Sequence, residues 1–209
     1  MNRLPLILLA FMLFAGCTMS SSEPIPQTYR LTPTVNPVNE TPMAHIKLGN
    51  IETSPGLDDS RIILHVLPYR IDHYAAARWP IRLPEYLDAV ILEGLSLSQT
   101  AQSISQGSLS GLPNYKLQIR VLDFQTEYKT SVQDTPDIHI RMELTLQRSR
   151  GQRIILHDWY ESRITSTDNN MTAIIKKFNE AFQEIFDNIT VDVNKAITDD
   201  LSTQEISSQ

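Results

Sequence analysis

Apolar and polar residues alternate most regularly in the second half of the chain. Between positions 138 and 146 every second residue is Ile, Met or Leu, so a strand with one apolar face is predicted there. A strand is also predicted at 115–124, where the alternation changes phase after Val121 and indicates a bulge. A third strand is predicted at 153–164, after a hairpin turn that contains Gly151.

The first half begins with a similar set of short strands. Runs rich in β-branched residues at 45–51 and 61–67 flank a turn of proline, glycine and aspartate, and a segment at 69–74 can form a hairpin with the second run. The period then becomes that of a helix, because apolar residues recur at Leu83, Leu87, Val90, Ile91 and Leu95. We therefore expect an amphipathic helix from position 83 to about position 102.

A longer amphipathic helix is predicted from Met171 to Ile189. The resulting order, βββα followed by βββα, predicts a single α+β domain over residues 43–199. Hairpins favour a mainly antiparallel sheet, and the two helices are expected to pack on one of its faces. Residues 200–209 are polar and are expected to form a tail.

The N-terminus has the pattern of an export signal. A basic start at Arg3 is followed by an apolar run of 11 residues at 4–14 and by the small residues Ala15 and Gly16. As a helix this run would be roughly 16 Å long, whereas the hydrocarbon core of a membrane is about 30 Å thick. We therefore predict a signal peptide at 1–16, removed before Cys17, rather than a permanent transmembrane helix.

Cys17 is the single cysteine of the chain, so an intramolecular disulfide is excluded. Phe14-Ala15-Gly16-Cys17 resembles the bacterial lipobox, in which acyl chains are attached to the cysteine and anchor the protein. Thr18 stands where aspartate favours retention at the inner membrane, so the periplasmic face of the outer membrane is expected. The alternative is an ordinary signal peptide with an incidental cysteine.

Residues 17–42 are predicted to be a tether between the lipid and the domain. Five prolines fall between positions 24 and 42, among Ser, Thr and Asn, and proline removes backbone donors and restricts φ. The 25 residues after Cys17 would reach roughly 30 Å as a coil and at most about 80 Å as polyproline II. Within the tether, Tyr29 and Leu31 alternate with Arg30 and could dock as an edge strand.

Charge and composition exclude several function classes. The net charge of −6 argues against a general nucleic-acid binder, which needs clustered Lys and Arg. The five histidines show no metal-ligand spacing, and there is no GxSxG, P-loop or GxGxxG motif. Asp58 and Asp59 follow Pro55 and Gly56, so they are interpreted as turn residues rather than a metal site. No catalytic residue, cofactor or metal site is predicted.

An aromatic segment before the first helix is the candidate partner-binding site, with Tyr74, Arg78 and Trp79 as its residues. Tyr and Trp combine apolar area with a polar edge, Arg can stack on them, and all three are enriched at protein interfaces. The alternative is that Trp79 fills the corner of the core between strand and helix. The sequence leaves both interpretations open.

At these residues the chain resembles the ABC-type transport auxiliary lipoproteins, of the paraquat-inducible protein C type. The shared pattern covers nearly the whole mature chain. It begins with a lipobox, a Tyr-x-Leu sequence at Tyr29 and two apolar strands. A tyrosine-rich segment with Tyr69 and Tyr74 then leads to Arg78-Trp79 and a helix that begins near Leu83, and three strands with a closing helix follow. Pro80 departs from this pattern, because alanine or another small residue commonly follows the tryptophan in the family.

The resemblance implies a function that composition does not reveal. Proteins of this family are partners of intermembrane phospholipid transporters built around MCE-domain proteins, and some form rings. This chain would then be a non-catalytic docking component that binds an MCE-domain protein and self-associates. One alternative is an accessory lipoprotein of envelope assembly or of a cell-wall synthase. Another is an envelope hydrolase, for which the sequence offers no recognisable set of catalytic residues.

Overall fold

The computed structural model describes residues 25–66, 68–107 and 112–207, and within them the chain forms a nine-stranded sheet and two helices. The strands are β1 (Gln27–Thr28), β2 (His45–Leu48), β3 (Glu52–Thr53), β4 (Arg61–Val66), β5 (Arg70–Arg78), β6 (Ser103–Gln106), β7 (Tyr115–Tyr128), β8 (Asp137–Arg148) and β9 (Ile154–Thr165). The helices are α1 (Leu83–Leu97) and α2 (Met171–Ser207).

The long strand β7 organises the sheet. Along one edge it pairs antiparallel with β8, which pairs antiparallel with β9. Along its other edge β7 pairs in turn with β2, β3 and β4, all parallel to it. β5 extends this side by a hairpin with β4, β1 adds to β5, and β6 adds to β2. The α+β class is therefore confirmed. The sheet is mixed, and most of its paired residues are antiparallel because the pairs of β8 with β7 and β9 are the longest.

The observed order of elements differs from the predicted βββα repeat. Three further short strands, β1, β3 and β6, lie among the predicted ones. Two of them have only two residues, too few for a periodicity that the sequence could reveal. The parallel pairs also differ from the expected hairpins, because the chain crosses from β5 through α1 before it enters β7.

The bulge predicted in β7 is confirmed. Pairing with β8 shifts register between Val121 and Asp123. After the shift Phe124, Thr126 and Tyr128 occupy the face that Ile119 and Val121 occupy before it, and all are buried. The bulge thus keeps the apolar side chains of a 14-residue strand on the core side.

Each helix buries one stripe of side chains. In α1 the predicted residues Leu83, Leu87, Ile91 and Leu95 are buried, but the helix ends at Leu97 rather than near 102. The residue Gln99 has a positive φ of 57°, which a continuing helix does not allow. Nearby, the Ser98 hydroxyl donates to the Leu95 carbonyl at 3.0 Å.

α2 continues well past the predicted end, and the expected polar tail from position 200 is helical to Ser207. The reason is Asp200, whose side chain is 2% exposed and forms ion pairs with Arg148 and Arg153. Tyr115 of β7 also donates a hydrogen bond to this carboxylate at 2.9 Å. These contacts bind the end of the helix to the start of β7 and to the β8–β9 hairpin, so the helix does not fray as its composition suggests.

The two helices meet at Gly94. A Cβ atom placed on Gly94 would lie 2.5 Å from Cζ of Phe186 in α2, which is closer than carbon atoms approach. Elsewhere α2 packs against β8 and β9, and α1 packs against β6. Glycine is therefore required where the backbone of α1 approaches a ring of α2.

Residues 27–40, which we call the N-terminal strap, are bound to the domain rather than extended as a free tether. Gln27 and Thr28 pair with Ala77 and Arg78, so an edge strand forms, two residues earlier than predicted. Leu31 is buried in the core. Side-chain amides of α2 then bond the backbone of the strap: Asn179 with Thr32 (2.6 Å), Gln183 with Thr34 (2.7 Å) and Asn194 with Glu40 (2.9 Å). Within the described residues, the strap is therefore part of the folded body, together with the domain predicted from residue 43.

Candidate protein-interaction site

Trp79 lies where β5 turns towards α1, and its side chain is 1% exposed. Its ring stacks on Tyr86 and makes edge contacts, with centroids 5.5 Å apart, to Phe124 and Phe178. Its backbone N–H donates to the carbonyl of Ser60 at 2.7 Å. The tryptophan therefore joins the β5–α1 corner to β7 and α2, and it offers no surface to a partner in this conformation.

Tyr86 connects this aromatic cluster to the strap. Its hydroxyl accepts a hydrogen bond of 2.6 Å from the backbone N–H of Leu31. Burial raises the pKa of Tyr86, so the hydroxyl stays protonated at neutral pH. The strap and the corner are thus held by the same side chain.

Tyr74 is half-buried, and its hydroxyl is fully engaged. It lies 2.9 Å from the hydroxyl of Thr126 and 2.8 Å from that of Tyr128, which donates to Asn169. Burial raises the pKa of Tyr74 far above its ordinary value of 10.0. The residue links β5 to β7 and to the segment before α2, and most of its polar capacity is used inside the protein.

Arg78 is exposed and differs from the other two predicted residues. Its backbone carbonyl accepts from the N–H of Tyr29, which fixes its position beside the strap. Its side chain lines a cleft of about 580 Å³ with Thr28, Ser60, Pro80, Ile81, Arg82 and Glu85. Within the described residues it forms no ion pair, so its charge is available to a partner.

Two acidic turn residues neutralise the neighbouring arginines. Arg82 pairs with Asp58 and, at 2.7 Å, with Glu85. Asp59 pairs with Arg61, and that hydrogen bond lowers the pKa of Asp59. Asp58 and Asp59 therefore act in ion pairs, and the described residues contain no group of His, Cys, Asp and Glu that could hold a metal ion.

A polar cluster on β7, β8 and β9 was not singled out from the sequence. His139, 9% exposed at its side chain, contacts Glu127 through Nδ1 at 2.9 Å and Glu161 through Nε2 at 2.8 Å. Burial raises the pKa of Glu127, but hydrogen bonds from Arg163, Gln125 and His139 outweigh it, so the pKa lies below its ordinary value. Alternate polar positions on three neighbouring strands could have indicated this cluster.

Ser162 and His139 are both buried in the sheet but do not face each other. Ser162 donates to Glu184 of α2 at 2.7 Å, whereas its strand neighbour Arg163 bonds to His139 at 3.1 Å. Since neighbouring residues of a strand point to opposite faces, Ser162 and His139 lie on opposite sides of the sheet. His45 and His157 contact hydroxyls of Ser103 and Thr145, but both rings are exposed.

Comparison with known proteins identifies the family. A family model described as ABC-type transport auxiliary lipoprotein component matches residues 29–190. The chain belongs to this family. The match begins at Tyr29, inside the strap, so the auxiliary-lipoprotein domain includes the segment that is bound to α1 and α2. A search of curated proteins gives no match.

Solved structures share the fold of this auxiliary lipoprotein. The protein XCC0632 from Xanthomonas campestris is 19% identical, with a TM-score of 0.71 over 88% of this chain and 99% of that one. An uncharacterized protein is 12% identical, with a TM-score of 0.61 over 80% of this chain and 99% of its own. At such low identity these similarities show the fold alone.

The predicted signal peptide and the lipid-attachment residue Cys17 lie outside the described residues. Among the helices that the structure describes, none is both long and apolar enough to cross a membrane. The fold of the auxiliary lipoprotein therefore supplies exposed surfaces around Arg78 and along the sheet, and membrane attachment stays a prediction from the sequence.

Proposed function

We propose that this auxiliary lipoprotein is a non-catalytic docking component of an MCE-type intermembrane phospholipid transporter. The observation that carries the proposal is the family match, which covers most of the strap and most of the domain. A transport auxiliary protein needs a binding surface and a fixed location rather than a reaction centre. The absence of nucleotide-binding motifs from the sequence agrees with this role.

In this proposal acyl chains on Cys17 hold the protein at the periplasmic face of the outer membrane. Two or more acyl chains give stable anchoring, at about 0.8 kcal/mol for each buried CH₂. With the strap bound, the segment between the lipid and the domain runs only from Cys17 to Gln27 and spans at most about 35 Å. The domain is thereby kept close to the bilayer, where it can receive the MCE-domain partner, as a monomer or a self-associated ring.

The predicted site takes a more specific form in this proposal. Arg78 contacts the partner through the cleft that it lines, since its charge is exposed and without an ion pair within the described residues. Tyr74 and Trp79 support that surface from the core side by fixing β5 and the start of α1. Substitution of Arg78 should then affect binding, whereas substitution of Trp79 should affect folding.

The test is affinity purification of the lipidated protein from its native envelope with the MCE-domain protein as the readout. Arg78→Glu should lower recovery of the MCE-domain protein, and Arg150→Glu, an equal charge change at an exposed hairpin turn, should not. Unchanged recovery with a folded Arg78→Glu protein would contradict the surface. Recovery of a cell-wall synthase, with no MCE-domain protein, would favour the alternative class.

Lipid attachment is tested separately by mass spectrometry of the N-terminal peptide. A diacylated or triacylated Cys17 is expected. An unmodified thiol in protein from the native host would remove the anchoring part of the proposal and leave the docking role to be judged on the purification alone.

A further inference from the structure

A groove separate from the Arg78 surface lies beside the last strand of the sheet. Within the described residues β9 pairs only with β8, so its other edge carries no strand. The groove has a volume of about 640 Å³ and is lined by Arg153, by residues 154–156 and 158 of β9 and by one side of α2 between 192 and 203.

The groove lies on the side of β9 that faces α2, next to the free edge of the strand. Leu156, which lines the groove, pairs with the buried Leu146 of β8, and Tyr160 on the same side of β9 donates to Asp192 of α2 at 2.9 Å. The pairing with β8 shifts register between Ile154 and Leu156, so the strand is irregular where the groove begins. At its free edge, the backbone of β9 presents N–H and C=O groups that no other strand of the described residues pairs with.

The opposite wall is a regular stripe of α2. Asp192, Lys195, Ala196 and Asp199 follow each other at helical spacing, so they lie on one side of the helix. The stretch from 192 to 203 is roughly 16 Å long at about 1.5 Å per residue. Five residues of β9 span about the same length at roughly 3.3 Å each. The groove therefore has room for about five residues of an extended polypeptide between strand and helix.

The chemistry of the walls selects the kind of polypeptide. The floor is apolar, with Leu156 and Ala196, and Ile154 at the mouth is 57% exposed. Among the four aspartates of the lining, Asp199 pairs with Lys195, and Asp200 pairs with Arg148 and Arg153. Asp158 and Asp192 are therefore the acidic residues of the lining that form no ion pair within the described residues, and Asp158 is exposed.

From this arrangement we infer that the edge of β9 binds an extended basic segment of a partner protein by strand addition. Backbone hydrogen bonds would join the segment to residues 154–158, apolar side chains would enter the groove, and Lys or Arg side chains would face Asp158 and Asp192. This mode of recognition adds a strand to an exposed sheet edge and uses pockets for alternate side chains. It requires neither the lipid anchor nor the Arg78 surface.

The test uses the mature full-length protein and a seven-residue peptide of alternating valine and lysine, followed by titration calorimetry and hydrogen–deuterium exchange. Binding should slow exchange of the amides in 154–158. A valine–glutamate peptide and a valine–lysine peptide with alternate backbone N-methyl groups should both fail to bind. Asp158→Lys should weaken binding by about threefold or more, and Asp72→Lys, the same charge change at an exposed site on β5, should not.

Three results would overturn the inference. Binding of the N-methylated peptide with equal affinity would exclude backbone pairing. Equal effects of Asp158→Lys and Asp72→Lys, or protection outside 154–158, would place the peptide elsewhere. Protection of β9 that rises with protein concentration in the absence of peptide would show that a second copy of the chain occupies the edge.

Discussion

Replacing Trp79 by alanine should destabilise the protein strongly, because the ring fills the corner between β5 and α1. Its side chain is 1% exposed and touches three other rings. Roughly 200 Å² of buried side chain at about 25 cal/mol per Å² corresponds to about 5 kcal/mol of transfer free energy. Substitutions of buried Trp or Phe by alanine cost about 3–5 kcal/mol, which includes the cavity left behind. We therefore expect a loss of about 4 kcal/mol.

The measurement is urea unfolding of the mature protein, followed by circular dichroism, with thermal unfolding as a second readout. A loss of this size should lower Tm by roughly 8–16 °C in a domain of this length. Trp159→Ala is the matched control, because Trp159 is 53% exposed on β9. That substitution should change the free energy of unfolding by less than about 1 kcal/mol.

The reasoning is refuted if the two tryptophan variants unfold with similar free energies. Such a result would mean that the corner collapses around alanine or that Trp79 is not packed as described. A folded Trp79→Ala protein that had lost its partner would also revive the interpretation of Trp79 as a direct contact residue.

Three further predictions follow from contacts elsewhere in the fold. Gly94→Ala should destabilise the protein by about 1–3 kcal/mol in urea unfolding, because the new methyl group meets the ring of Phe186. Asp200→Asn should cost about 2 kcal/mol at pH 7. It should also weaken the acid dependence of stability, measured by unfolding at successive pH values. Gln183→Ala should speed hydrogen exchange at the amide of Thr34, which donates to the glutamine at 2.7 Å.

The acid dependence predicted for Asp200 has a definite sign. Burial raises the pKa of Asp200, but hydrogen bonds from Arg148, Tyr115 and Arg153 outweigh it and hold the pKa below the ordinary value of 3.8. The carboxylate therefore stabilises the fold above pH 3.8, and this contribution is lost as the pH falls through the lower folded-state pKa. Equal slopes of stability against pH below 4 for both proteins would contradict this assignment.

Controls for the other two variants lie on the same helices. Ala89→Gly on α1 should cost about 1 kcal/mol, the helix-propensity difference alone. Without a steric clash Gly94→Ala would have the opposite sign and stabilise the protein by about 1 kcal/mol, so a stabilised Gly94→Ala protein would contradict the clash with Phe186. Asn188→Ala changes an exposed amide on α2 and should leave the Thr34 amide unaffected. Equal exchange at Thr34 in the Gln183 and Asn188 variants would mean that the strap is held by other contacts.

Local periodicity explains what could be predicted from the sequence. The alternation in 138–146, the phase change after Val121 and the apolar stripe of α1 each depend on neighbours within one element, and the structure confirms all three. The family resemblance could also be seen, because a tyrosine-rich strand that ends in Arg78-Trp79 before a helix is a local pattern. These features follow from side-chain geometry along a strand or a helix.

Contacts between distant segments explain what could not be predicted. Polar proline-rich residues have the composition of a free tether, yet amides of Asn179 and Gln183, almost 150 positions away, bind that backbone. A polar C-terminal stretch has the composition of a frayed end, yet Asp200 meets Arg148 across the fold. A segment of given composition can be free or bound, and contacts with distant segments of the same chain decide which.

The sequence by itself determined the classes of element, the bulge in β7, the family and the expectation of a lipid on Cys17. Tertiary structure decided that β7 has parallel partners, that Trp79 is buried while Arg78 is exposed, and that β9 leaves an open edge beside α2. The physical reason is the distance along the chain over which the interactions act. Periodicity shows which face of one element is apolar, whereas strand pairing, burial and open edges depend on which elements meet in space.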